Sequence, residues 1–167
     1  GELLCCSCAA GPALEGMNIS SGMRAADGAI EDVFVSENGI ELRTIGDKKP
    51  IGICGSGILA ILRELLKTGI VTKRGAFIKY DEIADDDWRK KYIRLNGSKR
   101  EFVMHEEPEI LVTQGDVRQV QLAKGAILSG FIALLNKAGI GMEDLDCVMI
   151  AGQFGAHLPE DSLISVG

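Results

Sequence analysis

Residues 145–155, LDCVMIAGQFG, decide the fold class expected of this sequence. The first six are mostly apolar and β-prone, which is typical of a parallel strand buried on both faces. The strand is predicted to run directly into a turn containing Gly152 and Gly155. Pro159 then suits the first turn of a helix, and two acidic residues follow it where the helix dipole favours negative charge. This strand–turn–helix order indicates an α/β protein.

Further strands are predicted on the N-terminal side of this segment. The apolar run 3–10, which ends before a Gly-Pro pair, is typical of a buried strand. Residues 33–42 form a hairpin pattern with Asn38-Gly39 at its turn, and residues 92–103 form a second one around an Asn-Gly pair.

Two longer helices are predicted. The first follows Cys54 and ends near Gly69, which suits the C′ position. Its apolar stripe should be buried, whereas Arg63, Glu64 and Lys67 should face solvent. The stripe consists of Ile58, Leu59, Ile61, Leu62, Leu65 and Leu66.

The second helix is predicted to begin at a capping box formed by Thr113 and Asp116, and to continue to Gly139. Its apolar positions recur with helical period as Val117, Val120, Ala123, Ile127, Phe131 and Leu134. We therefore predict an α/β fold with a mixed sheet, flanking helices and two β-hairpin insertions. Residues 1–69 and 113–167 should form the core, and 70–112 a strand-rich insertion. Because both ends lie inside predicted elements, we expect an excised piece of a larger protein.

Composition excludes several functions. The 167 residues carry a net charge of −6 with a pI near 5.0, and 5% are aromatic, so neither a basic nor a base-stacking nucleic-acid surface is expected. No membrane-spanning run or signal peptide is recognisable, which predicts a cytoplasmic protein. The five cysteines include the crowded Cys5, Cys6 and Cys8. An iron–sulfur or zinc site there is weighed against ordinary buried thiols, and we predict no metal site.

Glycine turns are the candidate binding elements. Gly55-Ser56-Gly57 and residues 152–155 each lie where an extended segment meets a helix. Such turns leave backbone N–H groups free for an anion, although glycine also simply eases the turn, and both interpretations stay open. Neither turn is a complete P-loop or Rossmann fingerprint.

Several stretches together resemble the reductive activators of corrinoid proteins. They are residues 6–16, 21–30, 53–58, 113–127 and 151–155. The resemblance implies part of an actin-like (ribonuclease H-like) ATPase domain, of the superfamily of acetate and sugar kinases, heat-shock chaperones and actin. In that family an N-terminal ferredoxin-like domain carries an iron–sulfur cluster and is absent here. ATP drives electron transfer to cobalt(II) corrinoid.

The resemblance also implies the cofactor site. ATP or ADP with Mg²⁺ would bind in the full-length protein, with Gly152, Gln153, Phe154 and Gly155 cradling adenosine. Gln121 and Lys124 would reach the ribose and base, and Gly11 would lie near the phosphates. The Mg²⁺ ligands and catalytic residues are expected before Gly1, so the piece alone should hydrolyse no ATP.

Implied partners are a corrinoid protein, or a corrinoid/iron–sulfur protein, and a second copy in a homodimer. Neither nucleic acid nor membrane is expected as a partner. Two alternatives stay open: a protein-interaction and dimerisation module with a vestigial cleft, and an activator of a radical dehydratase.

Overall fold

A computed structural model describes residues 2–152, 155 and 158–167 of the chain, which is an α/β protein. Six strands and three α-helices lie along this part of the sequence. They are β1 (Ala29–Ser36), β2 (Gly39–Thr44), β3 (Gly52–Ile53), α1 (Gly55–Lys67), β4 (Ile93–Asn96), β5 (Lys99–His105), β6 (Ile110–Thr113), α2 (Gln114–Ala138) and α3 (Glu160–Val166).

The first sheet has the order β2-β1-β3 and is mixed. β1 pairs antiparallel with β2 and parallel with β3. The predicted first hairpin is therefore confirmed, but its turn lies one residue earlier than expected, because Ser36 pairs with Gly39. Gly39 begins β2 with a φ of 155°, a conformation that glycine adopts most readily.

Helix α1 covers the first sheet. The predicted stripe is buried apart from its half-buried last member, Leu66, and Gly69 follows the helix with a φ of 71°, as expected of a C′ glycine. The prediction that Arg63 and Glu64 face solvent is wrong, since they are only 9% and 1% exposed. Their face of α1 meets β1 and α3, where both charged groups have partners, so burial leaves neither one isolated.

The second sheet, β4-β5-β6, is antiparallel throughout. The predicted second hairpin is confirmed, with Asn96 paired to Lys99 across a two-residue loop. Gly97 in that loop has a left-handed φ of 61°, which its lack of a side chain permits. Phe102 on β5 is fully buried and joins this sheet to the shared core.

Helix α2 begins and ends where the sequence predicts. Thr113 and Asp116 form the capping box, and Gly139 closes the helix in the left-handed conformation. Only the first half of the predicted apolar face is buried, at Val117, Val120 and Ala123. Farther along, Phe131 is 44% exposed, so the periodic apolar face continues beyond the part of the helix that is buried.

Two predicted strands are wrong. Residues 3–10 and 145–150 are not strands; the second run is exposed throughout, and Met149 is 87% exposed. A strand needs a neighbour to satisfy its backbone N–H and C=O groups, and neither run is paired with a strand within the described residues. Pro159 does precede the short helix α3, as predicted. None of the described helices is long and apolar enough to cross a bilayer.

Candidate functional site

Gln121 and Lys124 line a small cavity between α1, α2 and the end of α3. Its volume is about 80 Å³, and its apolar walls come from both long helices. The remaining lining residues are Leu62, Leu66, Val71, Lys73, Gly75, Val117, Val120 and Val166. The two polar side chains lie one turn apart on α2 and therefore project on the same side of the helix.

Both polar side chains already have protein partners. The Lys124 Nζ donates to the Val166 carbonyl oxygen at 2.8 Å, and the Gln121 Nε2 donates to the Arg74 carbonyl oxygen at 3.1 Å. These bonds are exposed. Because exposed hydrogen bonds exchange readily with water, either group can turn to a ligand at small cost.

Two residues missed by the sequence analysis shape the same cavity. Gln114 holds the turn at residues 72–77: its Oε1 accepts from the Phe77 N–H at 3.0 Å and its Nε2 donates to the Gly75 carbonyl at 2.6 Å. The turn places Lys73 on the cavity rim. No sequence pattern could have found Gln114 and Lys73. The bonds from Gln114 that hold the turn span 37 and 39 residues, so they form only through folding.

The turn Gly55-Ser56-Gly57 forms the first turn of α1 and is buried. A Cβ on Gly57 would lie 2.0 Å from the Ile30 carbonyl oxygen. Close packing of α1 on β1 therefore requires glycine here, which favours the structural interpretation of this residue. Cys54 occupies the N-cap position without a side-chain cap bond, and its thiol donates to the Ile30 carbonyl oxygen at 3.2 Å. An anion at this turn remains a prediction.

The second glycine turn precedes α3 in the sequence, whereas Lys124 contacts the C-terminal end of that helix. Gly152 is exposed with a φ of 101° and open space around it, while Gly155 packs near Ile150. Gln153 and Phe154 lie outside the described residues. Helix α3, whose C-terminal end Lys124 meets, has seven residues and is roughly 10 Å long at 1.5 Å per residue.

Gly11 lies apart from both regions. It is exposed, with a left-handed φ of 72°, and a Cβ added to it would meet no atom within 4 Å. The backbone there could approach a ligand without obstruction, which is compatible with the predicted place near phosphates.

The residues of the cavity fit part of a nucleotide. An ammonium, an amide and apolar walls suit a base and ribose hydroxyls. The volume of about 80 Å³, however, is well below the ~300 Å³ at which ligand pockets begin. These residues would therefore supply no more than one wall of a nucleotide site.

The cysteines differ from expectation. Cys54 is buried, as an ordinary core thiol should be, but Cys5, Cys6, Cys8 and Cys147 are exposed. The thiol of Cys6 lies 3.7 Å from the Gly130 carbonyl oxygen on α2. Within the described residues, no group of three or more His, Cys, Asp or Glu side chains could hold a metal ion.

Comparison with known proteins decides the family. The whole chain, residues 1–167, matches the family described as the C-terminal domain of RACo, the ASKHA domain. The chain belongs to this family. The RACo family and its actin-like fold class are those implied by the resemblance, so both predictions are confirmed.

Two relatives of this RACo-family chain are corrinoid activators by name, and a third is a corrinoid protein reductase. The corrinoid activation enzyme RamQ of Eubacterium limosum is 40% identical over 158 residues, covering 91% of this chain and 27% of the relative. The [Co(II) methylated amine-specific corrinoid protein] reductase of Methanosarcina barkeri is 28% identical, covering 99% and 31%. A solved reductive activator for corrinoid,iron-sulfur protein superposes with a TM-score of 0.79 at 36% identity, covering 94% and 25%. The chain thus spans about a quarter to a third of these relatives.

Proposed function

We propose that this chain is the ATP-binding part of an iron–sulfur protein that reductively reactivates cobalt(II) corrinoid proteins. The observation that carries the proposal is the 40% identity to a corrinoid activation enzyme over 91% of the chain. The shared actin-like fold supports nucleotide binding as the chain's share of that activity. The relatives' names favour corrinoid proteins over radical dehydratases as the target.

Gln121 and Lys124 contribute one wall of the nucleotide site in this proposal. The Lys124 ammonium has three N–H donors, so it would keep its bond to the Val166 carbonyl and also donate to the nucleotide. The Gln121 amide would exchange its Arg74 partner for ribose or base atoms above the apolar surface of α2. The backbone at Gly11 and Gly152 is open to a ligand, and Gly155 follows in the same turn as Gly152. The turn at Gly55 would favour an anion. ATP hydrolysis supplies the free energy for the uphill electron transfer.

The remaining parts of the activity are assigned to the rest of the protein. The iron–sulfur cluster, the Mg²⁺ ligands and the catalytic residues would lie outside residues 1–167. The partner would be a corrinoid protein or a corrinoid/iron–sulfur protein, and the activator would act in the cytoplasm as a homodimer.

Titration of the full-length natural protein with ATP tests the site. Lys124→Ala should weaken binding roughly tenfold or more, because hydrogen bonds to charged groups contribute about 1.5–3 kcal/mol. Gly152→Val should weaken it through the strain of a β-branched residue at positive φ. Lys137→Ala is the matched control, as another exposed lysine on α2. Unchanged affinity in both test variants would contradict the assignment.

A second candidate function is a dimerisation module with a vestigial cleft. It is favoured by apolar side chains that α2 and the following segment leave exposed, among them Leu128, Phe131 and Val148. Because both functions involve a homodimer, sedimentation of the full-length protein has to be combined with ATP titration to separate them. A stable dimer that binds no ATP would favour the module, whereas saturable ATP binding would favour the activator.

A further inference from the structure

Arg63 is the centre of a buried polar network that joins three elements. Its Nη2 donates to the Asp32 carboxylate at 3.0 Å and to the Val33 carbonyl at 2.7 Å, both on β1. Its Nε donates to Glu64 on α1 at 3.0 Å, and its Nη1 donates to the Ser162 hydroxyl on α3 at 2.9 Å. A single guanidinium therefore connects β1, α1 and α3.

The acceptors in this network are themselves fixed. Glu64 is 1% exposed, and its second oxygen accepts from the Val35 N–H at 3.0 Å. The Arg63 guanidinium lies 5.4 Å from the centre of the Phe34 ring. Burial by itself lowers the pKa of Arg63. The hydrogen bonds to Glu64 and Asp32 raise the pKa by more than burial lowers it, so it lies above its ordinary value. Arg63 thus stays charged, and its guanidinium is surrounded by buried hydrogen-bond acceptors.

Helix α3 depends on such contacts for its position. It has seven residues, and isolated helices shorter than about 12 residues are marginal in water. Ser162 is fully buried against α1, and its bond to Arg63 is a charge-assisted one. At its far end α3 supplies the Val166 carbonyl that holds Lys124. The position of α3 therefore sets the place where the Lys124 ammonium rests.

We propose that Arg63 is a positioning residue for the nucleotide site, acting through Ser162. By fixing α3 against α1 and β1, it holds the Val166 carbonyl at the cavity. The role rests on the proposed ATP site, in which Lys124 takes part. Bonds to β1, α1 and α3 at once require the planar guanidinium, whose several N–H donors point in fixed directions; the single ammonium of lysine cannot replace it.

The test uses the full-length natural protein with Ser162→Ala and Arg63→Lys. Hydrogen exchange of peptides from residues 159–167 reports the anchoring of α3, ATP titration reports the site, and thermal unfolding reports overall stability. Ser162→Ala should speed exchange in α3 roughly tenfold or more and weaken ATP binding severalfold, since a less populated docked state lowers apparent affinity. Arg63→Lys should do the same while keeping a positive charge beside Asp32.

Ser129→Ala is the control, because that serine is exposed and, among the described residues, its hydroxyl bonds only within α2, to the Gly125 carbonyl. A merely structural role would lower the unfolding temperature and leave ATP affinity per folded molecule unchanged, which would overturn the inference. Unchanged α3 exchange in both test variants would overturn it as well. If the wild-type protein binds no ATP, the nucleotide site itself is refuted; normal wild-type binding with unaffected variants refutes only the role of Arg63.

Discussion

Replacing Gly57 by alanine should destabilise the unit formed by β1 and α1. The added Cβ would lie 2.0 Å from the Ile30 carbonyl oxygen, whereas C···O contacts in proteins are about 3.3 Å or longer. Helix α1 would have to move by roughly 1.3 Å away from a buried strand. Overpacking of this kind costs about 3 kcal/mol at its upper range, and alanine regains about 1 kcal/mol of helix propensity. The net loss should be about 2 kcal/mol.

Gly125→Ala provides a matched control with the opposite sign. Gly125 also lies inside a helix, but nothing approaches within 4 Å of its added Cβ. Alanine there should stabilise α2 by about 0.5–1 kcal/mol, because it loses less backbone entropy on folding than glycine.

Hydrogen exchange in the full-length natural protein measures both variants locally. A loss of about 2 kcal/mol corresponds to roughly 30-fold faster exchange of α1 amides limited by opening of the unit. Gly125→Ala should leave α1 unchanged and slow exchange in α2. If Gly57→Ala exchanges as slowly as the wild type in α1, close packing does not explain this glycine, and ligand approach regains support.

Two further predictions concern other parts of the fold. The Asp116 carboxylate accepts from the N–H groups of Ser20 and Thr113, both at 2.7 Å. Asp116→Ala removes the cap and leaves these donors without an acceptor, so it should lower the free energy of unfolding by about 3 kcal/mol. Urea unfolding measures this loss, and a change below about 1 kcal/mol would contradict the network. The hydrogen bond from Asn96, and to a smaller extent that from Arg94, lowers the pKa of Glu101. Ionised Glu101 therefore stabilises the hairpin above about pH 4.5, and this stability is lost as the pH falls through the pKa that Glu101 has in the folded protein. Urea unfolding between about pH 3 and 7 should show this acid loss diminished in Glu101→Gln, and an unaltered pH profile would exclude Glu101 as its source.

The candidate site was predictable only in part. Gln121 and Lys124 could be named because the family resemblance implies them, and the structure places both at one cavity. Lys73 and Gln114 could not, since the turn that brings them there is held by bonds spanning 37 to 39 residues. The contact of Lys124 with the Val166 carbonyl likewise depends on how α3 docks.

What the sequence by itself determined are the features made by neighbours along the chain. The Thr113–Asp116 capping box, the closing Gly139 and the two-residue loop before Lys99 each form within a few residues, so local hydrogen bonds and glycine's freedom suffice. The family followed from short motifs in a fixed order.

Only the tertiary structure decided which polar groups are buried and which apolar runs become strands. Arg63 has the sequence pattern of a surface residue, yet Asp32 and Ser162, 31 and 99 positions away, give it a buried place. Residues 145–150 have the pattern of a core strand and lie exposed. The physical reason is the same in both cases: the free energy of burying a charge or extending a strand depends on partners that periodicity along the chain does not encode.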